Sequence, residues 1–211
     1  MKTNPFFDTF EFLTSGGWPT YFFWFLLLVS AAVVIYNYII DSRQHTARDI
    51  WMCLARILVG GLWWQQTLWK LPPYYTDLPG VPDSGLKHWM IEMVNNASFS
   101  IQSTLVKDIV LAHFNIFAPM VYAVEVFIAV SLILGLFTRL GAALGALMAI
   151  NLWLGLYRAP YEWPWTYFFL IVLQVTFVVF QAGRSFGIDA IIVRRVSGQS
   201  EPESMLARII T

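Results

Sequence analysis

Glu125 is an acidic residue within a long apolar stretch that runs from Ile116 to Phe137. At 1.5 Å per residue it lies ~13 Å below the nearer end of that stretch. An ionisable group at such a depth in a membrane is costly, so its presence needs a reason. Three roles are open: a proton acceptor beside a quinone or quinol headgroup, an ion-pair partner of Lys70 or Arg158, or a neutral acid hydrogen-bonded to a neighbouring amide.

Amide side chains lie at comparable depths on three other apolar stretches. They are Gln65 and Gln66 before Lys70, Asn151 before Arg158, and Gln174 in the last stretch. With Glu125 they fall roughly 6–13 Å below the same face of the membrane. Their convergence predicts a polar pocket that opens at that face, although amides also serve simply as hydrogen bonds between helices.

The pocket has a predicted set of ligand contacts. If Glu125 is a proton acceptor beside a quinone, the first of its three open roles, the ring would lie among Trp63, Trp64, Gln66 and Glu125. Lys70 and Arg158 would attract a small anion such as thiosulfate, although Lys70 also fits a lysine that marks the membrane interface. The predicted binding residues are therefore Lys70, Gln66, Trp64, Asn151, Gln174 and Arg158.

Five apolar stretches carry these residues in a chain of 211 residues. The composition is 58% hydrophobic and 12% charged, against roughly 25% charged in a typical soluble domain. A bilayer core needs about 20 apolar residues per helix. We predict membrane spans at Thr20–Ile40, Trp51–Lys70, Ile116–Phe137, Leu140–Tyr157 and Trp165–Ala182, with tyrosine and tryptophan enriched where they meet water.

Basic residues favour one orientation of these spans. Arg43, Arg48, Arg139 and the arginines after the fifth span lie on one side, which the positive-inside rule makes cytoplasmic. The prediction is a multi-pass protein of a bacterial or archaeal inner membrane with the N-terminus outside and the C-terminus in the cytoplasm. The first span is expected to be retained, because its apolar run is longer than a signal-peptide core. It has few small residues, so it would be peripheral or dock to another subunit.

The segment 71–115 is the only long connection between spans. Prolines and glycines occupy its first part, which excludes a regular helix there. Leu86, Trp89, Met90 and Met93 then follow helical spacing, and Ile101, Leu105, Ile109 and Ala112 do so again. We predict one or two amphipathic helices on the outer face, either covering helix ends or forming a lid over a substrate site.

Several function classes are excluded or disfavoured. The formal net charge is zero, which argues against a nucleic-acid partner. Cys53 is the single cysteine, so a paired-cysteine reductase cannot form within the chain. The three histidines all lie outside the apolar stretches, so neither haem nor a metal centre is expected.

Three segments resemble the DoxX family of membrane proteins. The first runs from Ala55-Arg56 through Gly60-Gly61 to Trp69-Lys70. The second runs from Pro119 through Glu125 to Gly135-Leu136-Phe137-Thr138-Arg139, and the third is Gly183-Arg184-Ser185-Phe186-Gly187-Ile188-Asp189. Together they cover about Trp51 to Arg195. Their order and spacing are similar to the family, which includes the DoxD subunit of thiosulfate:quinone oxidoreductase.

The resemblance implies an all-α fold, a four-helix transmembrane bundle to which this chain adds an N-terminal transmembrane helix and amphipathic helices in the outer loop. The expected divisions are 1–50, the bundle 51–195 with the outer loop 71–115, and a polar tail 196–211. The matched positions are Arg56, Lys70, Glu125, Arg139, Arg184 and Asp189.

Two functions compete at this point. The first is a membrane subunit of a quinone-linked oxidoreductase, because joining two thiosulfates into tetrathionate releases the two electrons that one quinone accepts. The second is a non-catalytic accessory or scaffold subunit of a larger respiratory or photosynthetic complex. Membrane lipid and other membrane subunits are the expected partners in both cases, and any nucleotide or flavin would lie on a partner. A transporter is a weaker third class, because inverted repeats are missing from the sequence.

Overall fold

The computed structural model of the protein describes residues 4–76, 78 and 80–197, which are helical with connecting turns and contain no strand. The all-α prediction is therefore confirmed for these residues. Most of the predicted polar tail, residues 198–211, lies outside the described residues, as do Lys2, Asp77 and Pro79.

Five long helices match the five predicted spans to within a few residues. They are α2 (Trp18–Ile40), α3 (Ala47–Thr67), α6 (Phe114–Leu134), α7 (Thr138–Leu156) and α8 (Pro164–Val179). By length and composition α2, α6 and α7 are long and apolar enough to cross a membrane, whereas α8 is a shorter apolar helix of 16 residues. Helix α3 has 21 residues but is less apolar, since it carries Arg56, Gln65 and Gln66.

Helices α3, α6, α7 and α8 form the bundle. Helix α3 packs along α6, α6 along α7, and α7 along α8. Gly60 permits the first contact, because a Cβ there would lie 2.9 Å from the backbone nitrogen of Ile133 and 3.0 Å from the Leu132 Cβ. A glycine at this position therefore lets the backbones of α3 and α6 come close together.

The segment between α3 and α6 contains the two predicted amphipathic helices. They are α4 (Leu86–Asn96) and α5 (Ser100–Leu105), and α5 continues into a π-helical turn (Val106–Leu111). Val106 packs inward with α4, whereas Ile101 and Ile109 on the predicted apolar face are exposed. That face therefore points away from the bundle.

A short helix that the sequence did not reveal precedes the first span. Helix α1 (Pro5–Thr14) begins at Asn4, whose side chain accepts a hydrogen bond from the Phe7 N–H at 2.8 Å. Phe12 packs against Phe23 of α2, with ring centroids 5.3 Å apart. The N-terminal part of the chain thus contributes two helices.

Helix α2 docks on the bundle through two buried polar residues. The Ser30 hydroxyl donates to the Ile133 carbonyl at 2.7 Å, and the Asn37 amide donates to the Gly187 carbonyl at 3.0 Å. Only 22% of the residues in the apolar segment of α2 are buried, against 39% for α6 and for α7. Helix α2 is therefore peripheral to the bundle, with most of its surface left uncovered by the described residues.

Two ends of the bundle are distinguished below. The cavity end comprises Lys70, α4 and the segment 157–163 between α7 and α8. The clamp end comprises the α6–α7 turn at 135–137, the start of α3 and helix α9 (Ile188–Ser197). The described arginines that favoured a cytoplasmic side in the sequence lie toward the clamp end, and Arg208 lies outside the described residues.

Candidate cavity site

Lys70 and Glu125 form a buried ion pair at the cavity end. Lys70 ends the 3₁₀ turn Leu68–Lys70 that follows α3, and Glu125 lies in the middle of α6. The lysine Nζ lies 2.6 Å from Oε1 and 2.5 Å from Oε2 of the glutamate. Only 4% and 3% of the two side chains are exposed. The structure therefore shows Glu125 paired with Lys70, which is one of the three roles that the sequence left open for it.

The indole ring of Trp69 also contacts the lysine. The Nζ lies 4.0 Å from the centroid of that ring, a cation–π geometry. The ammonium is thus held from one side by a carboxylate and from another by an aromatic face. Such a buried charge pair needs good geometry to offset its desolvation.

The pair lines a cavity of about 370 Å³. This volume lies within the range of about 300–1,000 Å³ that is usual for small-molecule sites. Helices α3, α4, α6, α7 and α8 all contribute to its wall. Most of the lining is apolar or aromatic, and a few polar residues accompany the ion pair, namely Gln66, Asn151, Glu162, Thr166 and Tyr167. Cavities with this mixture are the usual sites of small organic ligands.

Helix α4 forms a lid over the cavity. Leu86, Trp89, Met90 and Met93, the four residues that the sequence placed on one helical face, all line it. Trp89 also packs against Trp69, with ring centroids 6.0 Å apart. Helix α4 was predicted either to cover helix ends or to form a lid over a site. In the structure it covers a cavity.

Four of the predicted site residues meet at the cavity: Gln66, Lys70, Glu125 and Asn151. The Gln66 side chain accepts a hydrogen bond from the Trp69 indole N–H at 3.2 Å, and that of Asn151 accepts one from Gln102 at 2.8 Å. Trp63, which was expected near the ring of a ligand, also lines the cavity, and its indole nitrogen has no hydrogen-bond partner among the described residues.

Three predicted residues are not part of the cavity wall. Trp64 lies on the α2 side of α3, with its ring centroid 5.4 Å from that of Phe22, because adjacent helical residues point about 100° apart. Gln174 is fully buried against Gly145, where a Cβ would collide with its amide. Arg158 is exposed and donates to the Ser98 carbonyl at 3.2 Å. The predicted convergence of amides was therefore wrong for Gln174, and also for Gln65, which is exposed and does not line the cavity. The predicted ligand contacts Trp64 and Arg158 likewise lie outside the cavity wall.

Glu162 and Tyr167 line the cavity but were missed in the sequence. The Tyr167 hydroxyl donates to Glu162 Oε2 at 2.9 Å, and both residues are half-buried. Glu162 lies just before Pro164, which begins α8. The sequence did offer one signal for this pair: Glu162 is an acidic residue among aromatic residues of the predicted membrane interface, five positions before Tyr167.

At the clamp end, Arg56 and Asp189 hold the α6–α7 turn. The fully buried Arg56 guanidinium donates to the carbonyls of Leu132 and Ile133, at 3.1 Å for Ile133. These carbonyls lie in the last turn of α6, where a cation is stabilised by the helix dipole. Gly135 ends α6 in the left-handed conformation, and a Cβ there would lie 2.7 Å from the arginine Nη1.

Asp189 caps the start of the next helix, α7, as Arg56 caps the end of α6. Its carboxylate accepts the backbone N–H groups of Phe137 at 2.8 Å and Thr138 at 3.0 Å, which are otherwise unpaired at the start of α7. Burial raises the pKa of Asp189, and these hydrogen bonds together with Arg56 oppose that rise. Arg139 and Arg184, the other two family-matched positions, are half-buried at this end.

These features define the class of the protein, a multi-pass all-α membrane protein whose bundle contains a cavity beside a buried ion pair. The chain belongs to the family described as TQO small subunit DoxD, whose model matches residues 51–209. This confirms the DoxX/DoxD resemblance seen in the sequence. Helices α1 and α2 precede the matched region. No curated protein and no solved structure matches the chain.

Proposed function

We propose that this chain is the membrane subunit of a quinone-linked oxidoreductase and that its cavity binds the quinone headgroup. The observation that carries the proposal is the buried Lys70–Glu125 pair in the wall of the cavity of about 370 Å³. The match to a family described as a TQO subunit supports the same function. The proposal extends to the quinone as cofactor and to other membrane subunits as partners.

The cavity suits a neutral planar ring. Trp63, Trp69, Trp89 and Tyr167 contribute aromatic surface to its wall, and aromatic rings pack favourably against one another in offset or edge-to-face arrangements. The apolar residues Leu62, Val121, Met148 and Leu152 are also part of that wall. A ring with polar groups at its edge therefore finds both apolar surface and a few hydrogen-bonding partners.

Charge argues for a neutral ligand over an anion within the cavity. The Lys70 cation is already neutralised by Glu125, and Glu162 adds a second carboxylate to the wall. Thiosulfate would carry two negative charges into this site without an unpaired cation to receive them, which is costly. We therefore assign the quinone to the cavity and the sulfur anion to a surface or subunit outside it.

Lys70 and Glu125 have complementary roles in this proposal. A quinone becomes a quinol by accepting two electrons and two protons at its ring oxygens. The Lys70 ammonium donates a hydrogen bond to a ring oxygen and stabilises the negative charge that develops on it. Glu125 exchanges protons with the ring, as general acid in one direction and general base in the other.

A titration of tryptophan fluorescence with decylubiquinone tests the binding. The protein in nanodiscs should show saturable quenching, because three tryptophans line the cavity. Lys70→Met should weaken binding about tenfold or more, since it removes a charged hydrogen-bond donor. Lys107→Met is the matched control, because Lys107 is exposed at the same end and does not line the cavity.

The proton role is tested by turnover in membranes that contain the chain with its native partners. Glu125→Gln should lower the rate of thiosulfate-dependent quinone reduction by about 10²-fold. Asp108→Asn, a matched change of an exposed carboxylate, should leave the rate within about twofold. Unaltered quenching and turnover in both cavity variants would overturn the proposed function.

The accessory role is retained as a second candidate because of the exposed surface of α2. Trp18, Tyr21, Trp24 and Phe25 near its start are all more than a third exposed, and aromatic residues of this kind are enriched at protein interfaces. Stoichiometric co-purification with a membrane complex whose turnover survives deletion of this chain would favour this role over a catalytic one.

We also propose that the cavity end faces the outside and the clamp end the cytoplasm, with the protein in a bacterial or archaeal inner membrane. The support is the positive-inside distribution of arginines. Single cysteines test it in a Cys53→Ser background. Lys87→Cys should react with a membrane-impermeant maleimide added to intact cells, whereas Arg195→Cys should react only after lysis.

A further inference from the structure

Glu162 is a second carboxylate of the cavity, and it stands apart from the buried pair. It belongs to the segment 157–163 between α7 and α8, outside the membrane-spanning helices. The side chain lines the cavity and is only half-buried. Glu162 therefore contacts both the cavity and the aqueous surface at the cavity end.

Tyr167 fixes the carboxylate in place. Its hydroxyl donates to Oε2 at 2.9 Å, which leaves Oε1 available for water or for a ligand. The backbone N–H of Glu162 donates to the Ala159 carbonyl at 3.2 Å. Glu162 is thus positioned by a side-chain and a backbone hydrogen bond.

The buried pair needs such a group if it exchanges protons repeatedly. Glu125 is 2% exposed and lines the cavity, so a proton that passes between Glu125 and water along this wall crosses the cavity. Each quinone takes up two protons, so Glu125 must be reprotonated between transfers. Glu162 is a second acid in the same wall and can take up and release a proton on that route.

We infer that Glu162 transfers protons between water at the cavity end and Glu125, an inference that rests on the proposed function. A proton from water protonates Glu162, passes across the cavity to Glu125 and then bonds to a ring oxygen. Two such transfers, with two electrons from the reduced sulfur donor, convert one quinone into one quinol. The donor is oxidised, and both new O–H bonds take their protons from the cavity end.

The charged and titratable groups around this route are few. Lys70 faces it from the turn after α3, Glu125 from α6 and Tyr167 from α8. On the lid, Glu92 accepts a hydrogen bond from Tyr161 at 2.6 Å, which raises the pKa of that tyrosine. Arg158 lies on the same connecting segment as Glu162 and is hydrogen-bonded to Ser98.

The Glu92–Tyr161 pair supplies the matched control. It has the same chemistry as the Glu162–Tyr167 pair and lies at the same end of the molecule, but neither of its members lines the cavity. Changes of overall charge or of the connecting segment should affect both pairs alike. Only the pair in the cavity wall should affect proton transfer.

The experiment compares Glu162→Gln with Glu92→Gln in membranes that contain the chain and its native partners. Decylubiquinone reduction by thiosulfate is measured from pH 5 to pH 9, and binding is measured by fluorescence quenching in nanodiscs. Glu162→Gln should lower the rate by about tenfold or more and change its pH profile, while affinity stays within about twofold. Glu92→Gln should keep both rate and profile, and Tyr167→Phe should lower the rate by less than Glu162→Gln.

The possible outcomes separate the two proposals. Equal rates and pH profiles for Glu162→Gln and the unmodified protein, with quinone bound, would overturn the proton-transfer role alone. A parallel loss in Glu92→Gln would overturn it as well, since the effect would then not belong to the cavity. Absence of quenching in the unmodified protein would overturn the proposed function and this inference with it.

Discussion

The two ends of the bundle use buried charges in different ways. At the clamp end, Arg56 is bonded to the last carbonyls of α6 and Asp189 to the first N–H groups of α7, so each charge is compensated by a helix terminus. At the cavity end, Lys70 and Glu125 compensate each other directly and face a cavity. The first arrangement holds backbone in place, and the second leaves reactive groups beside space for a ligand.

This difference divides one set of family-matched residues by what surrounds them. All four residues lie in the region that matches the DoxD family, so family membership alone does not distinguish them. Their surroundings do, because the cavity of the described residues is lined by Lys70 and Glu125 and not by Arg56 or Asp189. We therefore expect substitutions at the clamp end to lower stability and those at the cavity end to affect ligand binding as well.

The largest stability effect is expected for Arg56→Met. It removes the guanidinium from the carbonyls of Leu132 and Ile133 and leaves Asp189 without its nearby cation, so the free energy of unfolding should fall by about 3–5 kcal/mol. The measurement is reversible unfolding in mixed micelles. Arg195→Met, on an exposed part of α9, should change it by less than about 0.5 kcal/mol. Equal effects of the two substitutions would contradict the clamp.

Double-mutant cycles test the contrast between the ends directly. Lys70→Met and Glu125→Leu should each destabilise by about 2–4 kcal/mol, and the double variant should recover much of that loss because no charge remains unpaired. Arg56→Met and Asp189→Asn should show a smaller coupling, since their hydrogen bonds go to different helices and only the attraction between their charges links them. A recovered double variant at the cavity end should still fail to bind decylubiquinone. Coupling of equal size at both ends would contradict the comparison.

A smaller effect is expected for Asp189→Asn alone. The amide retains one carbonyl oxygen, so it can accept from Phe137 or Thr138 but loses the negative charge at the start of α7. The free energy of unfolding should fall by about 1–2 kcal/mol, as for other losses of a helix cap. The decylubiquinone concentration that gives half-maximal quenching of tryptophan fluorescence should not change. A large shift in that concentration would show that the two ends are coupled.

The smallest effect concerns pH and Asp41, which follows α2 at the clamp end. Burial acts to raise the pKa of Asp41, but hydrogen bonds from Arg43 and Gln44 outweigh it and lower the pKa from 3.8 to about 2. Because the folded pKa is below the unfolded one, the resulting stability is present above about pH 4 and is lost as the pH falls toward 2. The wild-type free energy of unfolding should fall between pH 4 and pH 2, as measured by unfolding curves at the two values. In Asp41→Asn this fall should be smaller by about 1 kcal/mol.

Much of the fold could be predicted from periodicity and hydropathy. Helix α4 shows why, since Leu86, Trp89, Met90 and Met93 share a face by spacing alone, and that face does line the cavity. The helical rise per residue also predicted that Glu125, Gln66 and Asn151 lie at similar depths in the membrane. These predictions depend on position along a helix, which a sequence determines directly.

Rotation about the helix axis was harder to predict. Trp63 and Trp64 are neighbours in sequence, yet one lines the cavity and the other contacts α2. Gln174 has the right depth, but its amide packs under Gly145. Glu162 was missed because it belongs to a connecting segment, where no helical period relates it to the residues that it meets.

The Ile133 carbonyl receives two donors from different parts of the chain, the Ser30 hydroxyl at 2.7 Å and the Arg56 guanidinium at 3.1 Å. One oxygen atom thus joins α2 to the region that matches the family. In Ser30→Ala that oxygen would keep the guanidinium alone, while the apolar face of α2 would be unchanged. This single substitution therefore separates the polar attachment of the first long helix from its apolar packing.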